Sequence, residues 1–207
     1  MQPKIMTRTF LIALMVAGAA FLPAAYALEI EGVNIDEKVT LARGGPELVL
    51  NGAGVRHKLV FAKIYVGSLY LTRKMDSREA VLADPGPKRV SMHILSDEVT
   101  ASDLIASMNN ALAANLLPHE LALLEKRIRD LNRMMSSIKV IKRGSVVHLD
   151  YLPGTGTRVT VNGEEKITIP GADFFPAMLQ IWIGLTPVDG RLRDAMLGGA
   201  PRAFKLF

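Results

Sequence analysis

The chain has 207 residues, a formal net charge of +5 and no cysteine. The lack of cysteine excludes a disulfide scaffold, thiol catalysis and cysteine-ligated metal sites. The basic excess is modest, and no nucleic-acid motif or interleaved aromatic pattern accompanies it, so we expect no nucleic-acid partner. A chain of this length suits one domain with a proper core.

The N-terminus has the three parts of a secretory signal peptide. Lys4 and Arg8 form a short positive region, residues 10–22 are apolar and uncharged, and Ala25-Tyr26-Ala27 is an A-x-A cleavage pattern. The alternative is a membrane anchor, but the apolar run is short for a span of roughly 20 residues. We therefore expect cleavage after Ala27 and no membrane span in the mature protein.

Cleavage would leave 180 residues with a net charge of +3, because the leader holds two basic residues and no acid. We expect these residues, 28–207, to form a single domain with its core at about 30–198. The leader suits a bacterial exporter, so the predicted location is the periplasm, with secretion from the cell as the alternative. The sequence does not indicate an oligomeric state.

The first half of the mature chain is predicted to be mainly β-strands. Its strongest signal is a hairpin rich in β-branched and aromatic residues. We interpret Gly52-Ala53-Gly54 as a tight turn ahead of that hairpin. The predicted elements are edge strands within 28–41, a strand at 47–50, the hairpin at 55–61 and 63–72, a short helix at 77–83 capped by Ser77, and a strand at 88–95.

The second half begins with two helices. Thr100 and Asp103 predict the start of the first, and Pro118 predicts the start of the second. Their apolar stripes are interpreted as core rather than as cofactor contacts; they contain Leu104, Met108, Leu112, Leu121, Leu124, Ile128, Leu131 and Met135. Then come strands at 145–151, 157–161 and 165–169 with an Asn162-Gly163 turn, helices at 173–183 and 188–197, and a loose tail at 201–207.

The order of elements is strands, helices, strands and helices again. This order predicts an α+β fold in which helices cover one face of an antiparallel sheet. No internal repeat, low-complexity segment or linker divides the chain.

Common catalytic and cofactor motifs are absent from the sequence. No histidine forms a short-spaced pair with another metal-ligand type, so we expect no metal; the histidines are His57, His93, His119 and His148. There is no Gly-x-Ser-x-Gly elbow, and the glycine-rich segments lead into strands rather than helices, so neither a hydrolase triad nor a dinucleotide cofactor is expected.

Arg56 is the strongest candidate for a ligand contact. One interpretation is an exposed edge-strand arginine, and the other is a clamp for a carboxylate or phenolate beneath the helices, which suits its forked donors. Tyr65 lies nine residues on, across the hairpin, where its side chain could reach the same anion. Tyr70 is an odd number of residues from Tyr65 and should face the opposite side, so we interpret it as structural.

Three segments together resemble the chalcone isomerase superfamily. They are Gly-Ala-Gly-Val-Arg at 52–56, Lys-Ile-Tyr-Val-Gly-Ser-Leu-Tyr-Leu at 63–71 and Ile-Trp-Ile-Gly-Leu-Thr-Pro-Val-Asp at 181–189. The last is similar to the end of the bacterial, exported chalcone isomerase-like branch. The resemblance spans roughly 30–198. It implies an open-faced β-sandwich, with helices packed on one face of a large antiparallel sheet and a ligand cleft between them.

Some functional residues of the superfamily match residues of this sequence, and others do not. Arg56 matches the arginine that holds the reacting phenolate in the enzymes. The strand threonine of the family falls on Tyr65, and its C-terminal serine or threonine falls on Thr186. The helix asparagine falls on Asn109, with Met108 as an equally good register.

A further family residue, the tyrosine that leads the helix, falls near Ala101 or Ser102, and neither carries a phenol. Most polar contacts of the enzymes are therefore replaced. Non-enzymatic members of the superfamily bind fatty acids, with an arginine and a tyrosine holding the carboxylate, and Arg56 and Tyr65 resemble that pair. The candidate ligand-binding residues are thus Arg56, Tyr65, Asn109 and Thr186.

Three hypotheses follow. The first is non-catalytic binding of a fatty acid or similar amphipathic acid in the cleft between sheet and helices. The second is an active isomerase, an intramolecular lyase of the chalcone-to-flavanone type, acting on a phenolic substrate through Arg56 and Tyr65. The third is a structural protein whose cleft is filled by its own side chains, with Arg56 paired to an internal acid such as Asp150, Asp173 or Glu47.

Overall fold

A computed structural model of the chain describes residues 28–41, 44–58 and 61–199. The predicted leader with its cleavage site after Ala27, and the predicted tail at 201–207, lie outside these residues. The elements are β1 Leu28–Ile30, β2 Val33–Ile35, β3 Lys38–Thr40, β4 Glu47–Lys58, β5 Ala62–Leu71, α1 Arg78–Ala83, β6 Lys88–Ile94, β7 Glu98–Thr100, α2 Ala101–Asn115, α3 Pro118–Ile138, β8 Val140–Lys142, β9 Val146–Leu152, β10 Gly156–Val161, β11 Glu164–Ile169, α4 Phe174–Ile183 and α5 Gly190–Met196.

Seven strands form one antiparallel sheet in the order β11-β10-β9-β6-β5-β4-β3. The pairs β1-β2 and β7-β8 form two small antiparallel sheets of their own. The predicted α+β class with an antiparallel sheet is confirmed. The sequence did not predict β7 and β8, since three-residue strands are too short to show an alternating pattern.

The two faces of the large sheet have different coverings. Tyr65, Leu69 and Leu71 of β5 pack into the main core together with residues of every helix. Val66 and Tyr70 of the same strand belong to a second, smaller cluster, whose other members come from the strands and their connections. Alternate residues of a strand point to opposite faces, so the helices cover one face and the N-terminal strands cover part of the other.

Local signals set the helix boundaries. The Thr100 hydroxyl accepts the Asp103 backbone N–H at 3.1 Å and caps α2. The Glu120 carboxylate accepts the Leu117 backbone N–H at 2.7 Å just before Pro118 starts α3. In α4 all residues except Pro176 and Gln180 are buried, as expected of a helix that is apolar on nearly all sides and lies inside the core.

The prediction of a turn at Gly52-Ala53-Gly54 is wrong. These residues lie inside β4, a single strand of 12 residues where two strands were expected. The glycines are needed because α5 packs directly on this strand. A Cβ atom on Gly52 would collide with the carbonyl oxygen of Ala195, and one on Gly54 would lie 2.7 Å from the Ala195 Cβ atom.

The predicted hairpin turn at Asn162-Gly163 is confirmed. Both residues have positive φ angles, 51° and 80°, and they connect the paired strands β10 and β11. Asparagine and glycine tolerate this left-handed conformation, which matches the right-handed twist of the two strands.

Candidate functional site

An apolar cavity lies between the large sheet and helices α2, α3 and α4. Its volume is about 80 Å³, and 19 of the residues that the structure describes line it. Fifteen of these are leucine, isoleucine, valine or methionine. The other four are Arg56, Tyr65, Ser107 and Trp182.

Arg56 and Tyr65 meet at this cavity because they are direct partners across β4 and β5. Opposed residues in an antiparallel pair share one face of the sheet. The guanidinium carbon of Arg56 lies 5.4 Å from the centre of the Tyr65 ring, a distance typical of a cation–π contact. Arg56 is half-buried and lies on the helix-covered side of the sheet.

Tyr65 is almost completely buried, with 1% of its surface exposed. Its hydroxyl accepts a hydrogen bond of 2.8 Å from the indole N–H of Trp182. Burial raises the pKa of Tyr65, and the Arg56 charge and the Trp182 hydrogen bond oppose this rise only in part. The phenol is therefore protonated at neutral pH. Its own proton has no acceptor among the described residues, which leaves it available to a ligand.

Arg56 also has unused hydrogen-bonding capacity. One terminal nitrogen, Nη2, donates to the Ser107 hydroxyl at 2.6 Å, while the buried Nε has no hydrogen-bond partner within the described ranges. No carboxylate of residues 28–41, 44–58 or 61–199 lies within ion-pair distance of this guanidinium. An N–H donor beside a protonated phenol is a site for an acceptor-only group.

The acids that could have neutralised Arg56 are engaged elsewhere. Asp150 accepts from Arg89 and Arg158 on the opposite face of the sheet. Asp173 pairs with Arg127 at 2.6 Å, and Glu47 pairs with Lys38 at 2.7 Å. The pairing of Arg56 with one of these three acids, which the third hypothesis expected, is therefore wrong.

The structure does not bring Asn109 or Thr186 to the cavity. Asn109 lies on α2 but is not in the lining, whereas Met108, its alternative register, is. Thr186 is exposed after α4, and its backbone is held by the Asn115 side chain through hydrogen bonds of 2.8 and 2.9 Å.

Sequence reasoning missed two polar residues of the site. Ser107 faces Arg56 from α2, and its position one helical turn after Leu104 could have indicated this. The sequence places Trp182 in an apolar helix and in the family motif at 181–189, but does not indicate a contact with the ligand site. Its partner Tyr65 lies 117 residues away, so no local pattern could have linked them.

The apolar stripes of α2 and α3 have a second role besides the predicted one in the core. Leu104 and Met108 of α2 and Leu131 and Met135 of α3 also line the cavity. The interpretation of these stripes as core alone was therefore incomplete. The helices supply the wall that faces the sheet.

The part of the chain that the structure describes contains neither a metal-binding cluster nor a helix that could span a membrane. No three histidine, aspartate or glutamate side chains come together there in a way that could hold a metal ion. None of the helices described there has both the length and the apolar character needed to cross a membrane.

Comparisons with known proteins agree with this architecture. No curated protein matches the chain. A solved structure that matches is that of an Arabidopsis thaliana fatty-acid binding protein. It shares 15% sequence identity, has a TM-score of 0.56, and the match covers 78% of this chain and 96% of that one. At this level of sequence identity, the similarity shows a shared fold and nothing more. A family model described as chalcone isomerase-like matches residues 27–198, and the chain therefore belongs to the chalcone isomerase-like family.

Proposed function

We propose that this protein binds a fatty acid or similar amphipathic acid without transforming it. The observation that carries the proposal is a pair of donors without an acceptor: Arg56, with its buried Nε, and Tyr65, with its hydroxyl, contact each other in the lining of an apolar cavity. A buried donor that stays unpaired costs about 1–3 kcal/mol, so such a pair favours a ligand that supplies the acceptor.

A carboxylate meets this requirement. It carries two acceptor oxygens and no donor, and its charge complements the guanidinium of Arg56. The protonated Tyr65 phenol can donate to it, because the indole N–H of Trp182 is a donor only and leaves the phenol proton unpaired. The carboxylate would lie beside these two donors, near Ser107.

The separation of polar and apolar groups supports a ligand with one head group. The four polar residues form one connected set, through the contacts Arg56 to Ser107, Arg56 to Tyr65 and Tyr65 to Trp182. The remaining lining is aliphatic or methionine. A single-chain acid places its only polar group at the set and its tail against the rest.

The alternative is an isomerase of the chalcone-to-flavanone type. The observation in its favour is that a protonated phenol lies beside a guanidinium, so Tyr65 could polarise a carbonyl while Arg56 holds a phenolate. Flavanone formation from a hydroxychalcone, faster than without protein and lost in Tyr65→Phe, would support it. A rate equal to the uncatalysed rate would exclude it for that substrate.

The relative of known structure supports the binding proposal, since its name describes a fatty-acid binding protein with the same fold. The N-terminal sequence supports export, and we place the protein in the periplasm, with secretion as the alternative. Cell fractionation and N-terminal sequencing test this part: a mature chain that starts at Leu28 in the periplasmic fraction is expected. An uncleaved chain in the cytoplasm would contradict it.

The binding proposal is tested by native mass spectrometry of the purified protein, before and after incubation with a panel of fatty acids. We expect a co-purified or added acid on the wild type and its loss in Arg56→Gln. Arg143→Gln is a matched control, because Arg143 is exposed and pairs with the exposed Asp97. No acid on the wild type after the whole panel would overturn the proposal, as would equal loading of Arg56→Gln.

A further inference from the structure

The helix wall of the cavity is rich in methionine. Of the seven methionines that the structure describes, five line this one cavity: Met92, Met108, Met134, Met135 and Met178. Four of the five lie on α2, α3 and α4, and only Met92 lies on a strand. They form one third of the apolar lining, far more than their share of the sequence.

The opposite wall has a different composition. Of the eight lining residues on the large sheet, four are β-branched: Ile94, Val147, Val159 and Val161. Such side chains have restricted χ1 angles, whereas methionine is unbranched, flexible and polarizable. The cavity thus has one stiff wall on the sheet and one adaptable wall on the helices.

The cavity is small in its present form. For scale, an apolar cavity of about 150 Å³ accommodates benzene, which has six carbons. The volume of 80 Å³ is about half of that, so roughly three carbons of a tail fit without rearrangement, and a longer tail needs lining side chains to move.

Two methionines of the helix wall can move at low cost. Met134 and Met135 lie near the C-terminal end of α3, and both are only half-buried, whereas the other two helix methionines, Met108 and Met178, are buried. The lining methionine on the sheet is also half-buried, but it belongs to a strand that is paired on both sides. A half-buried side chain has space on its solvent side and gives up less packing when it changes rotamer. α3 also has only two fully buried residues, Leu124 and Leu131, along its 21 positions.

We propose that Met134 and Met135 are the residues that determine tail length, closing the cavity around short acids and moving outward to admit long ones. This inference rests on the proposed function, because it concerns the tail of the same ligand. It assigns the ligand class as single-chain acids of variable length rather than one acid of fixed size.

The test is a titration of the purified, delipidated protein with saturated acids of six to sixteen carbons. Trp182 is the only tryptophan in the chain and lines the cavity, so its fluorescence reports binding directly. We expect the wild type to bind both ends of the series. In the double variant Met134→Ile/Met135→Ile, the stiffer branched side chains should lower the affinity for the longest acids by about tenfold. The affinity for the six-carbon acid should fall by less than about threefold.

Two further variants keep the test decisive. Met75→Ile is the matched control, because Met75 is a buried methionine outside the cavity, and its length profile should equal that of the wild type. If the isoleucine variant fails to fold, Met134→Leu/Met135→Leu takes its place. This variant conserves volume and helix propensity, and it should show a smaller shift of the length profile in the same direction.

The outcomes separate this inference from the proposed function. Binding of acids by the wild type with an unchanged length profile in both α3 variants overturns the methionine inference alone. A wild type that binds the six-carbon acid but rejects every longer one also overturns it. Failure of the wild type to bind any acid overturns both proposals. Arg56→Gln should lower the affinity for acids of every length to a similar degree, because Arg56 contacts the head group.

Discussion

Trp182 donates its indole N–H to the hydroxyl of Tyr65 at 2.8 Å and thereby connects α4 to β5 at the cavity. Both residues are buried, so the hydrogen bond is shielded from competing water. Its effect is to fix the phenol beside Arg56 while leaving the phenol proton free. The fold thus positions this phenol through a contact between a helix and the sheet.

Tyr65→Phe should weaken both ligand binding and folding. The variant loses the phenol donor and leaves the buried Trp182 N–H without its acceptor, which costs about 1–3 kcal/mol of unfolding free energy. Loss of one hydrogen bond to a charged carboxylate should weaken acid binding by about tenfold or more. Denaturant unfolding and Trp182 fluorescence titration measure the two effects.

Tyr70→Phe separates binding from stability. Tyr70 is also buried, but it lies on the opposite face of the sheet, where its hydroxyl donates to the Asp36 carbonyl at 3.0 Å. This variant should lose some stability and keep its affinity for acids. Equal affinities for the wild type and Tyr65→Phe would show that the phenol does not contact the ligand.

Gly52→Ala should strongly destabilise the protein. The added methyl group would meet backbone atoms of Ala195, so either α5 or the strand β4 must shift, at a cost of about 3 kcal/mol or more. Gly190→Ala is the control, because a Cβ atom at Gly190 has no neighbour within 4 Å. Thermal unfolding that gave the two variants similar midpoints would contradict the packing of α5 on β4.

Asp150→Ala should also be costly. Asp150 is fully buried and accepts hydrogen bonds from Arg89 at 2.6 and 2.8 Å and from Arg158 at 2.9 Å. Its removal leaves two partly buried guanidinium groups without their counter-charge, which we expect to cost about 3–5 kcal/mol in denaturant unfolding. Asp97→Ala removes an ion pair whose carboxylate is exposed and should change stability by less than about 1 kcal/mol. If Asp150→Ala also lost less than about 1 kcal/mol, the role assigned to Asp150 would be contradicted.

Local sequence signals were sufficient for much of the fold. The Thr100 cap and the Asn162-Gly163 turn depend on residues within a few positions of one another, and both are confirmed. Counting residues across the hairpin placed Arg56 and Tyr65 near each other, and their register pairs them directly. These features depend on interactions between residues that are close together in the chain, and a single sequence is enough to predict such interactions.

Long-range contacts explain what the sequence did not reveal. Whether Gly52 belongs to a turn or to a strand is decided by Ala195, which lies more than a hundred residues later and packs on it. The contact of Ser107 with Arg56 depends on how α2 lies across the sheet. The same dependence on helix packing explains why Asn109, only two positions further along α2, does not reach the cavity.

Stability should fall in mild acid because of His148. Burial is the main cause that lowers the pKa of His148 to about 4, and the Arg89 charge adds to it. The folded state therefore keeps this imidazole neutral, while in the unfolded chain it takes a proton near pH 6.5. The contribution of the neutral His148 imidazole to the free energy of unfolding is complete above about pH 6.5. It is lost as the pH falls towards about 4. Solvent screening at this half-buried site limits the loss to about 1–2 kcal/mol.

His148→Gln removes this proton-linked contribution, so its unfolding free energy should depend less on pH between about 6.5 and 4. Some dependence should remain, because burial also lowers the pKa of His93 on the same sheet face. His119 is exposed, and His119→Gln should reproduce the wild-type curve. Denaturant unfolding across this pH range provides the measurement. If His148→Gln and the wild type gave parallel curves, His148 would not be the group whose protonation weakens the fold.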